Sequence, residues 1–87
     1  MNISIEYCTQ WGYLDRALSL REDLEKEFSG KFDEFKVNLI KGTGGVYEIF
    51  VNDQLQIFSK KQTGRFPKSS YEITKTINDA IDERRLG

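Results

Sequence analysis

Histidine is absent from this 87-residue chain, and cysteine, proline and tryptophan occur once each. Without histidine, neither Ser-His-Asp nor Cys-His catalysis is available, and no metal site can use imidazole ligands. The single cysteine excludes an intramolecular disulfide and a cysteine-only zinc site. Because small secreted domains are usually rich in paired cysteines, this usage favours a reducing cytoplasm as the location.

Long apolar runs and an excess of charge of one sign are also missing. No apolar stretch is long enough to cross a membrane, and the start of the chain lacks the basic leader of a signal peptide. A formal net charge of -1 gives no global electrostatic case for nucleic acid or an anionic membrane as a partner. With 38% apolar residues, the composition predicts one folded domain spanning residues 1–87. No metal site is expected in it.

Alternating apolar and polar residues predict four strands, and helical spacing predicts two helices. The expected elements, in chain order, are strand 2–7, helix 14–28, strands 34–40, 46–51 and 55–59, and a helix at about 70–84. This β-α-β-β-β-α order requires a parallel, right-handed crossover between the first two strands and antiparallel pairing in the later hairpin. The predicted fold class is therefore α+β, with a four-stranded mixed sheet.

The polarity of the strand faces predicts where the helices pack. One face of the first two strands is polar, so both helices are expected on the other face, with the strands in the order second, first, third, fourth. Phe50 and Phe58 fall on the polar face, where they either pack on each other or form an interaction patch. A three-residue hairpin loop at 52–54 is expected to place Ile49 opposite Ile57.

Helix cores and caps follow from the same spacing. The first helix is expected to bury five apolar side chains and the last helix four: Leu14, Ala17, Leu18, Leu24 and Phe28; Ile73, Ile77, Ala80 and Ile81. Ser69 followed by Glu72 predicts a capping box at the start of the last helix.

Cys8 is the one nucleophilic thiol, and its predicted place is informative. It directly follows the first strand and directly precedes the first helix, where unsatisfied N–H groups and the helix dipole favour a thiolate. A thiolate is the nucleophile of thiol–disulfide exchange. The alternative is that Cys8 is a small buried apolar residue at a strand end, and both interpretations stay open.

Three segments of the chain together resemble the selenoprotein W/T/H (Rdx) family. They are Tyr-Cys-Thr-Gln-Trp-Gly-Tyr at 7–13, Gly-Gly-Val-Tyr-Glu-Ile at 44–49, and Ser-Lys-Lys-Gln-Thr-Gly-Arg-Phe-Pro at 59–67. The family carries Cys-x-x-Cys or Cys-x-x-selenocysteine after its first strand. The resemblance implies a thioredoxin-like fold and a cytosolic, thiol-based redox role.

This sequence departs from the family pattern at the second motif position. Cys8 occupies the first position, but Trp11 stands where the second cysteine or selenocysteine would be, so dithiol cycling within one chain is excluded. The resemblance then implies monothiol chemistry through Cys8, with no bound cofactor and with glutathione or a partner protein thiol as the redox partner. The alternative is a non-catalytic interaction module that keeps the fold.

The neighbours of Cys8 allow two interpretations each. Trp11 either covers the edge of the core and shields Cys8, or forms an exposed aromatic platform for a partner. Thr9 either caps the first helix or donates a hydrogen bond to the thiolate, and Gln10 completes the motif.

A basic stretch lies late in the chain. Lys60, Lys61 and Arg65 fall in a segment without acidic residues, and such a loop could attract the carboxylates of glutathione or an acidic partner. A simply solvated loop is the alternative. The glycine-rich segment 42–45 lacks the lysine of a phosphate-binding loop, so a turn is expected there.

Overall fold

Four strands and three helices follow one another in a single pass along the chain. The computed structural model describes residues 1–83. Its elements are β1 (Asn2–Cys8), α1 (Tyr13–Phe28), β2 (Lys36–Gly42), β3 (Tyr47–Val51), β4 (Leu55–Ser59), α2 (Lys60–Thr63) and α3 (Ser70–Asp82). The predicted strands and long helices are confirmed, whereas the one-turn helix α2 was not predicted. The predicted end of the last helix, at about residue 84, lies outside the described residues.

The sheet has the predicted strand order, β2-β1-β3-β4. β1 pairs in parallel with β2, where Ile5 lies opposite Leu39, and antiparallel with β3, where Ile5 lies opposite Ile49. β3 and β4 form the antiparallel hairpin. A parallel pair needs a crossover, and α1 supplies it. The carboxyl end of β1 therefore opens directly into the turn that leads to α1.

Both long helices contribute to the core on one face of the sheet. Ile3, Ile5 and Tyr7 of β1 belong to the same buried cluster as residues of α1 and α3, which are Ala17, Leu20, Leu24, Phe28, Ile73 and Ile77. Fully burying one such side chain is worth about 1.5–3 kcal/mol. None of the helices within residues 1–83 is long and apolar enough to cross a membrane.

The buried stripe of α1 differs from the predicted one. Leu14 and Leu18 are 41% and 37% exposed, whereas Leu20 is only 5% exposed. The predicted stripe included Leu14 and Leu18 and omitted Leu20, so it is wrong at these three positions. Packing against the sheet selects the line through Leu20 and Leu24, which leaves Leu14 and Leu18 at its flank.

The β3–β4 hairpin contains an irregularity that changes the predicted faces. Val51 lies opposite Leu55 as expected, but the register shifts between Ile49 and Phe50, so that Ile49 lies opposite Phe58 instead of Ile57. An extra residue in one strand reverses the faces of the residues beyond it. Phe58 is consequently 6% exposed in the core, and its predicted position on the polar face with Phe50 is wrong.

Candidate functional site

Cys8 is the last residue of β1 and is a buried free thiol, 2% exposed. It lies opposite Gly42 of β2, and its backbone N–H donates to the carbonyl of Val46 at 2.9 Å. The contiguous core cluster includes the preceding Tyr7 but not Cys8. Cys8 is thus enclosed at the end of the sheet, beside the turn between β2 and β3. Within residues 1–83, no group of three or more acidic, cysteine or histidine side chains is arranged to hold a metal.

A four-residue turn, Thr9–Gly12, separates Cys8 from α1. The predicted position of Cys8 directly before the helix is therefore wrong, because four residues lie between Cys8 and the first residue of α1. Gly12 is the N-cap, with a φ of 76° and no side-chain cap. The expectation that Thr9 caps the helix is wrong as well, and Thr9 and Gln10 are exposed.

Trp11 is 75% exposed and has a left-handed backbone, with a φ of 57°. A left-handed conformation costs a non-glycine residue about 1–2 kcal/mol, so the turn is strained at the second motif position. The Trp11 ring lies 6.4 Å from the ring of Tyr13, tilted by 56°. The interpretation of Trp11 as a cover for the core edge is wrong, and an exposed aromatic surface beside the thiol-bearing strand end remains.

The three motif segments meet in one aromatic group, which we call the motif cluster: Tyr13, Tyr47 and Phe66. Tyr13 comes from the cysteine segment, Tyr47 from the Gly-Gly segment and Phe66 from the Phe-Pro segment. The ring of Phe66 lies 4.8 Å from that of Tyr13 and 5.2 Å from that of Tyr47, both near edge-to-face. Each such aromatic pair adds about 0.5–1.5 kcal/mol beyond its buried area. The motif cluster therefore locks the start of α1 to β3 and to the chain before α3.

Two positively charged side chains, Arg16 and Lys60, lie over the rings of the motif cluster. The Arg16 guanidinium carbon lies 4.0 Å from the Phe66 ring centre. The Lys60 ammonium nitrogen lies 5.7 Å from the Tyr13 ring and 5.4 Å from the Phe66 ring. Of the three predicted binding residues, Lys60 is thus placed at the aromatic group next to the motif turn, and Lys61 is exposed.

Arg65, the third predicted binding residue, is engaged in an ion pair. Its guanidinium donates to both carboxylate oxygens of Glu72, at 3.0 and 2.8 Å. This hydrogen bond is the main cause that lowers the pKa of Glu72 from its ordinary value, with the Lys68 N–H donor as the second. A glutathione carboxylate would have to compete with Glu72 for this arginine.

The predicted capping box is also replaced by this arrangement. Glu72 accepts from the backbone N–H of Lys68 at 2.7 Å, and the Ser69 side chain caps nothing. Ser69 occupies the N-cap position as predicted, but the arginine draws the Glu72 carboxylate away from it.

Glu48 is a key residue that the sequence analysis did not single out. Its carboxylate accepts from the Ser59 hydroxyl at 2.5 Å, from the Lys60 N–H at 2.9 Å and from the Gln56 side chain at 3.1 Å. Ser59 in turn accepts from the N–H of Gln62 at 3.1 Å as the N-cap of α2. The Glu48 carboxylate therefore fixes the start of the short helix that carries Lys60. The sequence signal that could have pointed to Glu48 is its place in the Gly-Gly-x-Tyr-Glu segment.

A cleft of about 350 Å³ lies between α1 and the chain that leads into α3. Its lining includes Arg16, Tyr47, Phe66 and Lys68. Burial raises the pKa of Tyr47 to about 12, against a smaller lowering by Arg16. The Tyr47 hydroxyl therefore stays protonated at neutral pH and is available as a hydrogen-bond donor.

The β-α-β-β-β-α order of the strands and long helices, the mixed sheet and the thiol at the end of the first strand define a protein of the thioredoxin-like class. A family model described as the Rdx family matches residues 2–79, so the chain belongs to the Rdx family. Both the fold class and the family resemblance predicted from the three segments are confirmed.

Solved structures agree with this assignment. A selenoprotein W-related protein from Vibrio cholerae is 34% identical, with 92% of this chain and 95% of that chain covered and a TM-score of 0.78. A protein from Bordetella parapertussis is 31% identical, with coverages of 90% and 94% and a TM-score of 0.76. A search among curated proteins finds no significant match.

Proposed function

We propose that the protein carries out monothiol redox chemistry through Cys8, with glutathione as the preferred partner. The observation that carries the proposal is the position of this one thiol. It ends β1 at the first motif position of a thioredoxin-like protein of the Rdx family, next to a turn whose backbone is left-handed at Trp11 and Gly12. The single cysteine supports action in a reducing compartment such as the cytoplasm.

The chemistry is an exchange that one thiol can complete. The Cys8 thiolate attacks a sulfur of oxidised glutathione, the new sulfur–sulfur bond forms as the old one breaks, and one glutathione thiolate leaves. A second thiol then attacks the mixed disulfide and releases Cys8 as a thiolate. No resolving cysteine exists within the chain, so that second thiol comes from glutathione or from a partner protein.

Access to the thiol is the step that the fold controls. Cys8 is 2% exposed, so its sulfur reaches a disulfide only when the chain around it moves, and the adjacent Thr9–Gly12 turn is the part that we propose to move. Strain at Trp11 lowers the cost of that movement. Lys60, held beside Tyr13, adds a positive charge near the moving turn that favours the carboxylates of glutathione.

Intact-mass spectrometry of the native protein tests the proposal. Incubation with oxidised glutathione is expected to add one glutathione, which a thiol reductant removes, whereas Cys8→Ser gains none. The rate of adduct formation is expected to fall in Trp11→Gly, because glycine adopts the left-handed conformation without strain and so makes the closed turn harder to open. An adduct that forms only in denaturant would contradict the proposal.

A second candidate function, a non-catalytic interaction module, is favoured by the 75% exposure of Trp11. Exposed tryptophans are enriched among residues that dominate binding at interfaces. A protein partner isolated with the native chain would then bind Cys8→Ser unchanged and Trp11→Ala more weakly. Under the redox proposal, loss of the thiol abolishes the covalent complex with such a partner.

A further inference from the structure

We propose that the cleft between α1 and the Phe66–Ser70 segment binds a small carboxylate that carries an aromatic group. The cleft belongs to none of the thiol chemistry proposed above, and it is built from residues that the cysteine motif does not include. Its volume of about 350 Å³ is at the lower end of the range for ligand pockets in proteins.

An unpartnered donor lines the cleft. Tyr47 is 2% exposed, and its hydroxyl has no hydrogen-bond partner within the described residues. All fully buried side-chain nitrogens and oxygens in that part of the chain do have partners, so the Tyr47 hydroxyl opens into the cleft that the residue lines. A neutral phenol in an apolar wall gains most from an anionic acceptor, because hydrogen bonds to charged groups are the stronger ones.

The charges around the cleft favour an anion. Arg16 and Lys68 line it together with one acidic residue, Asp15. The Arg16 guanidinium carbon lies 4.0 Å from the centre of the Phe66 ring, and within residues 1–83 Arg16 makes no hydrogen bond or ion pair. That contact leaves the N–H edge of the guanidinium free for a carboxylate.

The start of α3 also contributes to the positive electrostatic potential of the cleft. Ser69 and Ser70 line the cleft; the Ser69 side chain makes no cap hydrogen bond to the helix, whereas the Ser70 hydroxyl donates to the Asp23 carboxylate and only its backbone N–H faces a ligand. The N–H groups of a first helical turn carry a partial positive charge and accept anionic partners. The helix end and the open Tyr47 hydroxyl are independent features that line one cleft, and both select a negatively charged group.

The remaining walls select the rest of the ligand. Leu20, Phe66 and Pro67 give the cleft an apolar side, and Phe66 already packs edge-to-face against two other rings. An aromatic body gains from such a wall both by burial and by ring contacts. A bare inorganic anion would leave this side of the cleft unused.

Amide chemical shifts of the isotope-labelled protein, titrated with 3-phenylpropionate, test the proposal. We expect saturable shifts at Tyr47, Ser69 and Ser70, and none with the neutral 3-phenylpropanamide. Tyr47→Phe keeps the ring and is expected to weaken binding about tenfold. Arg16→Gln is expected to weaken binding about three- to fivefold.

Two control variants separate this site from general charge effects and from the thiol. Arg21→Gln removes one positive charge from the same helix at a residue that pairs with Glu25, and we expect binding to be unchanged. Cys8→Ser is also expected to bind as the wild type does, so failure of the redox proposal leaves this one standing. Finally, binding of 3-phenylpropionate is compared with binding of the peptide N-acetyl-Gly-Gly-Phe, which is prepared once with a free and once with an amidated carboxyl terminus. Tighter binding of the free-carboxyl peptide than of 3-phenylpropionate would show that the carboxylate ligand comes from the end of a peptide chain.

Several results would overturn the proposal. These are the absence of saturable shifts at the cleft, equal binding of the neutral amide or of inorganic phosphate, and unchanged affinity in a folded Tyr47→Phe variant. Absent shifts would mean that the cleft is not a binding site. Equal binding of the amide or of phosphate would mean that an aromatic carboxylate is not its ligand. Unchanged affinity in Tyr47→Phe would mean that the Tyr47 hydroxyl is not the donor.

Discussion

Two leucines on one helix provide a direct test of how α1 packs on the sheet. Leu24 is fully buried, with no exposed surface, whereas Leu18 is 37% exposed. Leu24→Ala removes three carbon atoms from the core and leaves a cavity, so we expect it to destabilise the fold by about 3–5 kcal/mol. Leu18→Ala removes the same atoms from a flank that solvent can refill, and the expected loss is about 1 kcal/mol.

Urea unfolding followed by circular dichroism measures both losses under the same conditions. A single domain of this size is stabilised by only about 5–15 kcal/mol, so Leu24→Ala removes a large share of the total. In a thermal melt, each kcal/mol lost is expected to lower the midpoint by about 4–8 °C. Equal losses for the two variants, or a larger loss for Leu18→Ala, would mean that α1 presents a different face to the sheet and would refute the core described above.

Three further predictions concern the network around the motif segments. Glu48→Gln is expected to lower the free energy of unfolding by about 1–2 kcal/mol, because it weakens two hydrogen bonds at the start of α2 and one from Gln56 of β4. The exposed Glu22→Gln serves as a control with a small effect, and equal losses in the two variants would contradict the role of Glu48 in fixing α2. The folded-state pKa of Glu72 lies below its ordinary value, so its contribution is present at neutral pH and lost as the pH falls through that lowered pKa. Acid unfolding monitored by fluorescence should therefore be less pH-dependent in Glu72→Gln, and an unchanged pH profile would contradict the pairing. Trp11→Cys is expected to cost little stability, since Trp11 is largely exposed, and to form an intramolecular disulfide with Cys8 in mild oxidant; mass spectrometry that finds only intermolecular disulfides would show that the two positions point apart.

The three motif segments have a structural role that is separate from redox chemistry. Tyr13, Tyr47 and Phe66 pack together, and Glu48 fixes the helix that carries Lys60. Replacing the second motif cysteine by tryptophan leaves this framework intact, because position 11 lies outside it on an exposed turn. A chain can therefore keep the family fold with a single cysteine.

Local periodicity was sufficient to predict the order of the main elements and the strand order of the sheet. Ile3, Ile5 and Tyr7 alternate with polar residues, and that alternation alone fixes one buried face for β1. The residues that join the three segments, by contrast, are far apart in the chain. Glu48 reaches Lys60, and Tyr47 reaches Phe66, through contacts that no short window of sequence contains.

The candidate site was decided by tertiary structure to a greater extent than the fold was. The sequence predicted Cys8 and Lys60 as candidate site residues, but it could not show that Cys8 is enclosed or that Arg65 is paired with Glu72. The sequence also could not show whether Trp11 is buried or exposed, because a tryptophan side chain in a turn can either pack on the core or extend into solvent. Secondary structure follows from the periodicity of neighbouring residues, whereas burial, charge pairing and the shift that turns Phe58 inward depend on which distant surfaces meet.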